Sequence, residues 1–170
     1  RFHNGDIEFY GQVSFLKAGL RYADRVTTVS PTYAEEILTP EFGYGLDGIL
    51  RERGADFRGI LNGIDDALWN PETDPHLSAP YGPQDVSGKR ACKLALQQEF
   101  GLPLSQSTPL IGFVSRTTHQ KMADTILAAL PWLSEQNVQF IHLGQGEPAL
   151  EAGFISAQRA HSDRMAVHIG

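Results

Sequence analysis

Leu110-Ile-Gly-Phe-Val-Ser115, Val138-Gln-Phe-Ile-His-Leu143 and Met165-Ala-Val-His-Ile169 are three short runs dominated by β-branched, aromatic and other apolar residues. Two longer stretches with helical spacing, Gln120–Gln136 and Pro148–His161, lie between them. Strand, helix, strand, helix, strand with near-continuous apolar strands predicts a parallel sheet covered by helices. The stripe Met122, Ile126, Leu130 and Leu133 falls on the helix face expected to meet that sheet.

Toward the N-terminus the pattern continues. A helix is predicted from about Gly88 to Phe100, stopped by Gly101. Pro71, Pro75, Pro80 and Pro83 make residues 70–84 read as a linker or crossing loop. Further back, Gln12–Ala23 has helical spacing at Val13, Leu16, Leu20 and Ala23, and Arg25–Ser30 reads as a buried strand. Ser30 then offers an N-cap and Pro31 a first helical residue, for a helix to about Leu38. A short helix near Leu46–Arg53 and a strand Phe57–Asn62 complete this half. The organisation expected is therefore two partial α/β units, residues 1–70 and 88–170, joined by residues 71–87. Neither has enough strands for a complete doubly wound domain. Arg1 in place of an initiator Met, and Gly170 directly after an apolar run, read as the ends of a piece of something longer.

Composition excludes several classes of function. The 170 residues carry a net charge of −6 without a Lys/Arg cluster, which argues against a nucleic-acid partner. No stretch approaches the roughly 20 apolar residues that cross a bilayer. Cys92, the single cysteine, forbids an intramolecular disulfide and fits a reducing compartment. It lies on a predicted helix with no basic partner, so inert packing is its expected role. His3, His76, His119, His142, His161 and His168 show no metal-ligand spacing, and no metal site is expected.

Three strand-end loops are candidate sites. In Val114-Ser-Arg-Thr-Thr-His-Gln-Lys121, Arg116 sits where a parallel strand ends, the place where open α/β sheets bind ligands. Thr117 and Gln120 have capping-box spacing, which predicts a helix start there and puts Lys121 in its first turn. The macrodipole disfavours a cation at that point, unless an anion occupies the helix end. The alternative is two solvated surface cations. Gly144 and Gly146, in Leu143-Gly-Gln-Gly-Glu-Pro148, would let a ligand approach the backbone, or form a plain turn before a helix. Asn62, before Gly63, could hydrogen-bond a sugar or phosphate, or simply make an Asn-Gly turn.

Taken together, several stretches resemble the bacterial-type glycogen (starch) synthases. They are Glu8–Gly11, Phe15–Gly19, Tyr22-Ala-Asp-Arg-Val-Thr-Thr-Val-Ser-Pro-Thr-Tyr-Ala34, Thr39-Pro-Glu-Phe-Gly-Tyr-Gly-Leu46, Leu61–Asp65, Trp69–Asp74 and Val114-Ser-Arg116, in that order. The resemblance covers essentially the whole chain. It implies an α/β fold of the GT-B type, a pair of Rossmann-like domains with parallel sheets, both incomplete here. Residues 1–70 would end the acceptor-side domain and 88–170 would begin the nucleotide-sugar domain. It implies retaining transfer of glucose from ADP-glucose to the 4-hydroxyl of an α-1,4-glucan such as glycogen, with no cofactor. The expected setting is a bacterial cytoplasm, or a plastid. Arg116 and Lys121 would hold the donor diphosphate and stabilise charge on it as it leaves. Gly144 and Gly146 would line the adenosine pocket, and Asn62 would reach toward the donor.

Two positions depart from the family's text. Met122 stands where the family typically has Gly, and could crowd a diphosphate. Glu147 replaces the usual Asp, a better helix cap. The family's Lys-x-Gly-Gly-Leu loop and active-site His would lie upstream of Arg1, and its late acidic residues beyond Gly170. Met122 keeps open the alternative of a non-catalytic, degenerate nucleotide-binding paralogue on the same fold. A relative using UDP- or GDP-sugars is disfavoured by the text of Thr39–Leu46.

Overall fold

The computed structural model describes residues 5–170 and divides into two compact units between Asp65 and Asp66. The first unit opens with a minimal antiparallel hairpin, β1 (Glu8–Phe9) against β2 (Gln12–Val13). Tyr10 and Gly11, both at positive φ, make the turn, as a tight hairpin requires. The first helix, α1 (Phe15–Tyr22), thus begins three residues later than its spacing suggests. Gln12 and Val13 are taken into the hairpin, and Ser14 caps the helix by accepting from the Lys17 amide at 3.1 Å.

β3 (Val26–Thr28) runs parallel to β4 (Phe57–Gly59) in the register Val26↔Phe57 to Thr28↔Gly59. The crossover carries α2 (Pro31–Glu36) and α3 (Asp47–Arg53). Ser30 accepts from the Tyr33 amide at 3.2 Å, and Pro31 occupies the first turn as expected. Arg53 ties the unit together by donating to the carbonyls of Ala23 at 2.5 Å, Asp24 at 3.2 Å and Arg21 at 3.3 Å, at the C-terminal end of α1. A cation there also suits the negative end of the helix dipole.

The second unit begins with residues 66–87, which form no helix or strand but fold back on themselves. The Tyr81 amide donates to the Pro71 carbonyl, and Cys92 of α4 (Gly88–Glu99) donates its thiol to the Ala79 carbonyl at 3.3 Å. The Pro-rich stretch is thus tied to the helix that follows it. β5 (Leu110–Val114), β6 (Gln139–Leu143) and β7 (Met165–His168) form a parallel sheet in sequence order. α5 (Ala123–Ser134) and α6 (Pro148–Ala160) make the two crossovers.

The side-chain alternation of β6 separates two cores. Phe140 and Met165 join Ala123, Leu130, Leu150 and Phe154 beneath α5 and α6. Ile141 and Ala166 face the other way, with Leu102 and the partly buried Phe100 and Leu110. On that side the fully buried Gln97 of α4 donates to the Gln139 side chain at 2.5 Å and to the Ser105 carbonyl at 3.1 Å. Its own carbonyl accepts from the Ser105 amide at 3.0 Å, so both ends of the amide are satisfied. The unit is a three-layer sandwich of α4, the sheet, and the α5/α6 pair. This is the α/β architecture with parallel, incomplete sheets that the alternation predicts.

Candidate active site

The loops leaving the C-terminal ends of β5 and β6 continue the sheet beyond its last rung. The Ser115 amide donates to the Leu143 carbonyl at 3.2 Å, and the Thr117 amide to the Gln145 carbonyl at 2.9 Å. The Glu147 amide then donates to the Thr117 carbonyl at 2.9 Å, and Thr117 pairs with Gly146 in a parallel bridge. Arg116, between two residues fastened to the neighbouring loop, is presented outward at the sheet's edge, exposed to solvent. Its guanidinium donates to Gln120 Oε1 at 3.1 Å.

The two glycines have a structural reason to be glycines. A side chain on Gly144 would overlap the Ser115 carbonyl oxygen, and one on Gly146 the Thr117 carbonyl oxygen. They permit the β6 loop to lie against the β5 loop, and so fix the backbone on both sides of Arg116. Arg116, Gly144 and Gly146 are therefore brought together, and Lys121 follows on the same β5–α5 loop. Asn62 belongs to the first unit, exposed, three residues past the end of β4 at Gly59.

Two expectations about this loop are corrected. Thr117 and Gln120 do not form a capping box, because both side chains are committed elsewhere. The Thr117 hydroxyl points into the core and the Gln120 carbonyl accepts from Arg116. Lys121 is consequently not in the first turn of α5. It closes a 3-10 turn, His119–Lys121, whose end is marked by Met122 at φ 59° and ψ 26°. Only after this left-handed residue does α5 begin, at Ala123, without a side-chain cap. Met122 is 60% exposed, and its backbone conformation is one glycine adopts without strain.

Glu147 also departs from the helix-cap role. It precedes α6 but makes no capping bond to it. Its carboxylate instead reaches the other loop, accepting from the His119 amide at 3.2 Å and meeting His119 Nδ1 at 2.9 Å. Glu151 supplies a carboxylate oxygen to the Gly146 amide at 2.5 Å. The loops thus present one cation held by Gln120, one whose side chain has no hydrogen bond or ion pair among the described residues (Lys121), and an acid already engaged by His119.

His142 escaped the sequence reading as a structural determinant of this region. It is completely buried near the C-terminal end of β6, stacked against Phe113 with ring centres 4.9 Å apart and close to Phe154 at 4.4 Å. The available signal was a lone imidazole inside the apolar run Phe140-Ile-His-Leu143, since a buried polar group must find a partner. Among the described residues no three His, Cys, Asp or Glu side chains gather as metal ligands; His3 lies outside those residues. No helix among them is long and apolar enough to cross a membrane.

The chain is similar to known proteins. The family described as starch synthase catalytic domain matches residues 1–52. A glycogen synthase of Anaeromyxobacter dehalogenans is 54% identical over 164 residues, covering 96% of this chain and 34% of that protein. Glycogen synthase 1 of Methylococcus capsulatus is 50% identical over 96% of this chain and 33% of its own length. The solved catalytic domain of starch synthase IV from Arabidopsis thaliana, bound to ADP and acarbose, superposes with a TM-score of 0.87 at 35% identity. That match covers 97% of this chain and 34% of the other. The chain thus spans about a third of the length of the relatives it matches. Over nearly its whole length the chain is similar in sequence to bacterial glycogen synthases, and it shares the α/β GT-B fold of the starch synthase catalytic domain.

Proposed function

We propose that the chain is part of a retaining α-1,4-glucan synthase, with residues 88–170 receiving the diphosphate of ADP-glucose. The observation that carries this reading is the pair Arg116 and Lys121 on one rigidly zipped loop at the C-terminal edge of a parallel sheet. The ADP-bound state of the starch synthase neighbour supports a nucleoside diphosphate as ligand, and its acarbose supports a carbohydrate acceptor such as glycogen. No cofactor is invoked, and the setting proposed is cytoplasmic.

In this reading the glucosyl–oxygen bond to the diphosphate breaks and the electron pair stays on the leaving phosphate. Arg116 offers a planar pair of donors and Lys121 a compact charge, both carried on that loop before that charge develops. The departing phosphate accepts the proton of the acceptor's 4-hydroxyl, and the new bond forms on the same face. Gly144 and Gly146 keep the adjacent loop free of side chains where the adenosine would lie. A degenerate paralogue is the less favoured reading, because Met122 is accommodated by its exposed left-handed turn while Arg116 and Lys121 are retained.

The test uses a chimaera in which this chain replaces its counterpart in the Anaeromyxobacter dehalogenans enzyme. Arg116→Ala and Lys121→Ala should each lower kcat by about 10²–10³-fold with little change in melting temperature. Retention of kcat within about threefold by both would remove the phosphate-holding assignment.

A further inference from the structure

The imidazole of His142 bridges two points on β5 and the loop that leaves it. Phe113 is its register partner in the sheet, and His142 Nδ1 lies 3.0 Å from the Phe113 carbonyl oxygen. Its Nε2 lies 2.9 Å from the Thr117 hydroxyl, four residues further along. A carbonyl oxygen can only accept, so Nδ1 carries the proton; in the neutral ring Nε2 then accepts from the Thr117 O–H. Both side chains are wholly buried, where such a bond is not exchanged for water. The backbone at Thr117 is bridged in parallel to Gly146, and side chains alternate along strand-like backbone. With Thr117 fixed inward, Arg116 is forced outward, and the turn bearing Lys121 starts from a fixed point.

We propose that His142 and Thr117 form a positioning pair that holds the cation-bearing loop in its anion-receiving shape. The pair acts through the loop and touches no ligand. This rests on the reading of Arg116 and Lys121 as diphosphate ligands only for its effect on binding; its effect on the loop stands apart from that reading.

Two substitutions at one position separate positioning from packing. Thr117→Val keeps the shape and removes the hydroxyl; Thr117→Ser keeps the hydroxyl and removes the methyl. Hydrogen exchange on the 170-residue chain should show the Lys121 and Met122 amides, which bond to the Thr118 and His119 carbonyls, exchanging at least about tenfold faster in Thr117→Val. In Thr117→Ser they should stay within about twofold of the unaltered chain. In the chimaera, ADP affinity should fall by about tenfold for Val and remain within about twofold for Ser. Val behaving like the unaltered protein, or Ser behaving worse than Val, would overturn the proposal. Should the unaltered chimaera fail to bind ADP, the diphosphate reading falls, and the exchange comparison still decides the pair. Should Thr117→Val not fold, imidazole ¹⁵N spectra of the unaltered chain decide instead. Nδ1 must be protonated and Nε2 an acceptor; a proton on Nε2 rejects the pair as described.

Discussion

Both units contain a parallel β–α–β arrangement, yet they bury it very differently. In the second unit β6 lies between two strands and two helical layers, with Phe140 on one face and Ile141 on the other. In the first, β3 and β4 have three residues each, and only Ala34 and Leu50 are buried apolar side chains among the described residues. Phe15, Leu16 and Tyr44 of that unit lie largely in solvent. What links its parts is polar: Arg53 to three carbonyls, and ion pairs of Arg21 with Glu52, Arg25 with Asp56 and Arg51 with Asp47. Exposed pairs of this kind contribute about 0–1 kcal/mol each. A β–α–β repeat therefore gains little stability until both faces of its sheet are covered.

The sharpest way to break the contrast is to open the core of each unit. Phe154→Ala should destabilise the second unit by about 3–5 kcal/mol, since the ring is fully buried against Phe113, Phe140 and His142. Leu50→Ala should cost the first unit nearer 2 kcal/mol, because Leu50 borders two open grooves that can collapse or admit water. Denaturant unfolding monitored unit by unit checks both, and equal losses would refute the contrast. A smaller effect is expected on the opposite face. Gln97→Leu strips the Ser105 amide and the Gln139 carbonyl of their partners, for a loss of about 1–3 kcal/mol measured by melting.

Met122→Gly should act in the opposite direction. The helix begins after Met122, so no helix propensity is lost, and relief of the left-handed backbone should add about 1 kcal/mol. Loss of stability in the Gly variant would show that the exposed Met side chain packs favourably. The smallest effect concerns Asp163, whose carboxyl is held below its usual range by the Arg164 side chain. Arg164 donates to the Ser134 and Gln136 carbonyls at the end of α5. A carboxyl depressed in the folded state contributes stability above its unfolded value, and loses it as pH falls through the folded value. Asp163→Asn should flatten that acid-side slope slightly, as seen in melting temperatures between pH 5 and about 2.

The sequence made the second unit's layout legible because strand and helix periods alternate there without ambiguity. β5, β6, β7, α4 and α6 begin and end within a residue or two of the positions their patterns suggest. Misreadings arose where a local signal competed with a distant partner. Thr117 looks like a helix cap until His142, from the next strand, claims its hydroxyl. Gln12 and Val13 fit a helix until Glu8 and Phe9 pair with them. The start of α5 was hidden by a left-handed methionine, a conformation that side-chain pattern cannot register. Arg116 was legible because its place depends on a strand end, while the pair that orients its loop was not.

The sheet of the second unit pairs its strands in the order in which they occur along the chain. Each new strand meets the one made just before it, after a single helix and two short loops. The chain closures involved are therefore small, and the entropy lost before each pairing is repaid is modest. As the polypeptide emerges from a ribosome, β5 need wait only for α5 and β6, and β6 only for α6 and β7. This half of the molecule can acquire its structure stepwise in time, from its N-terminal strand outward.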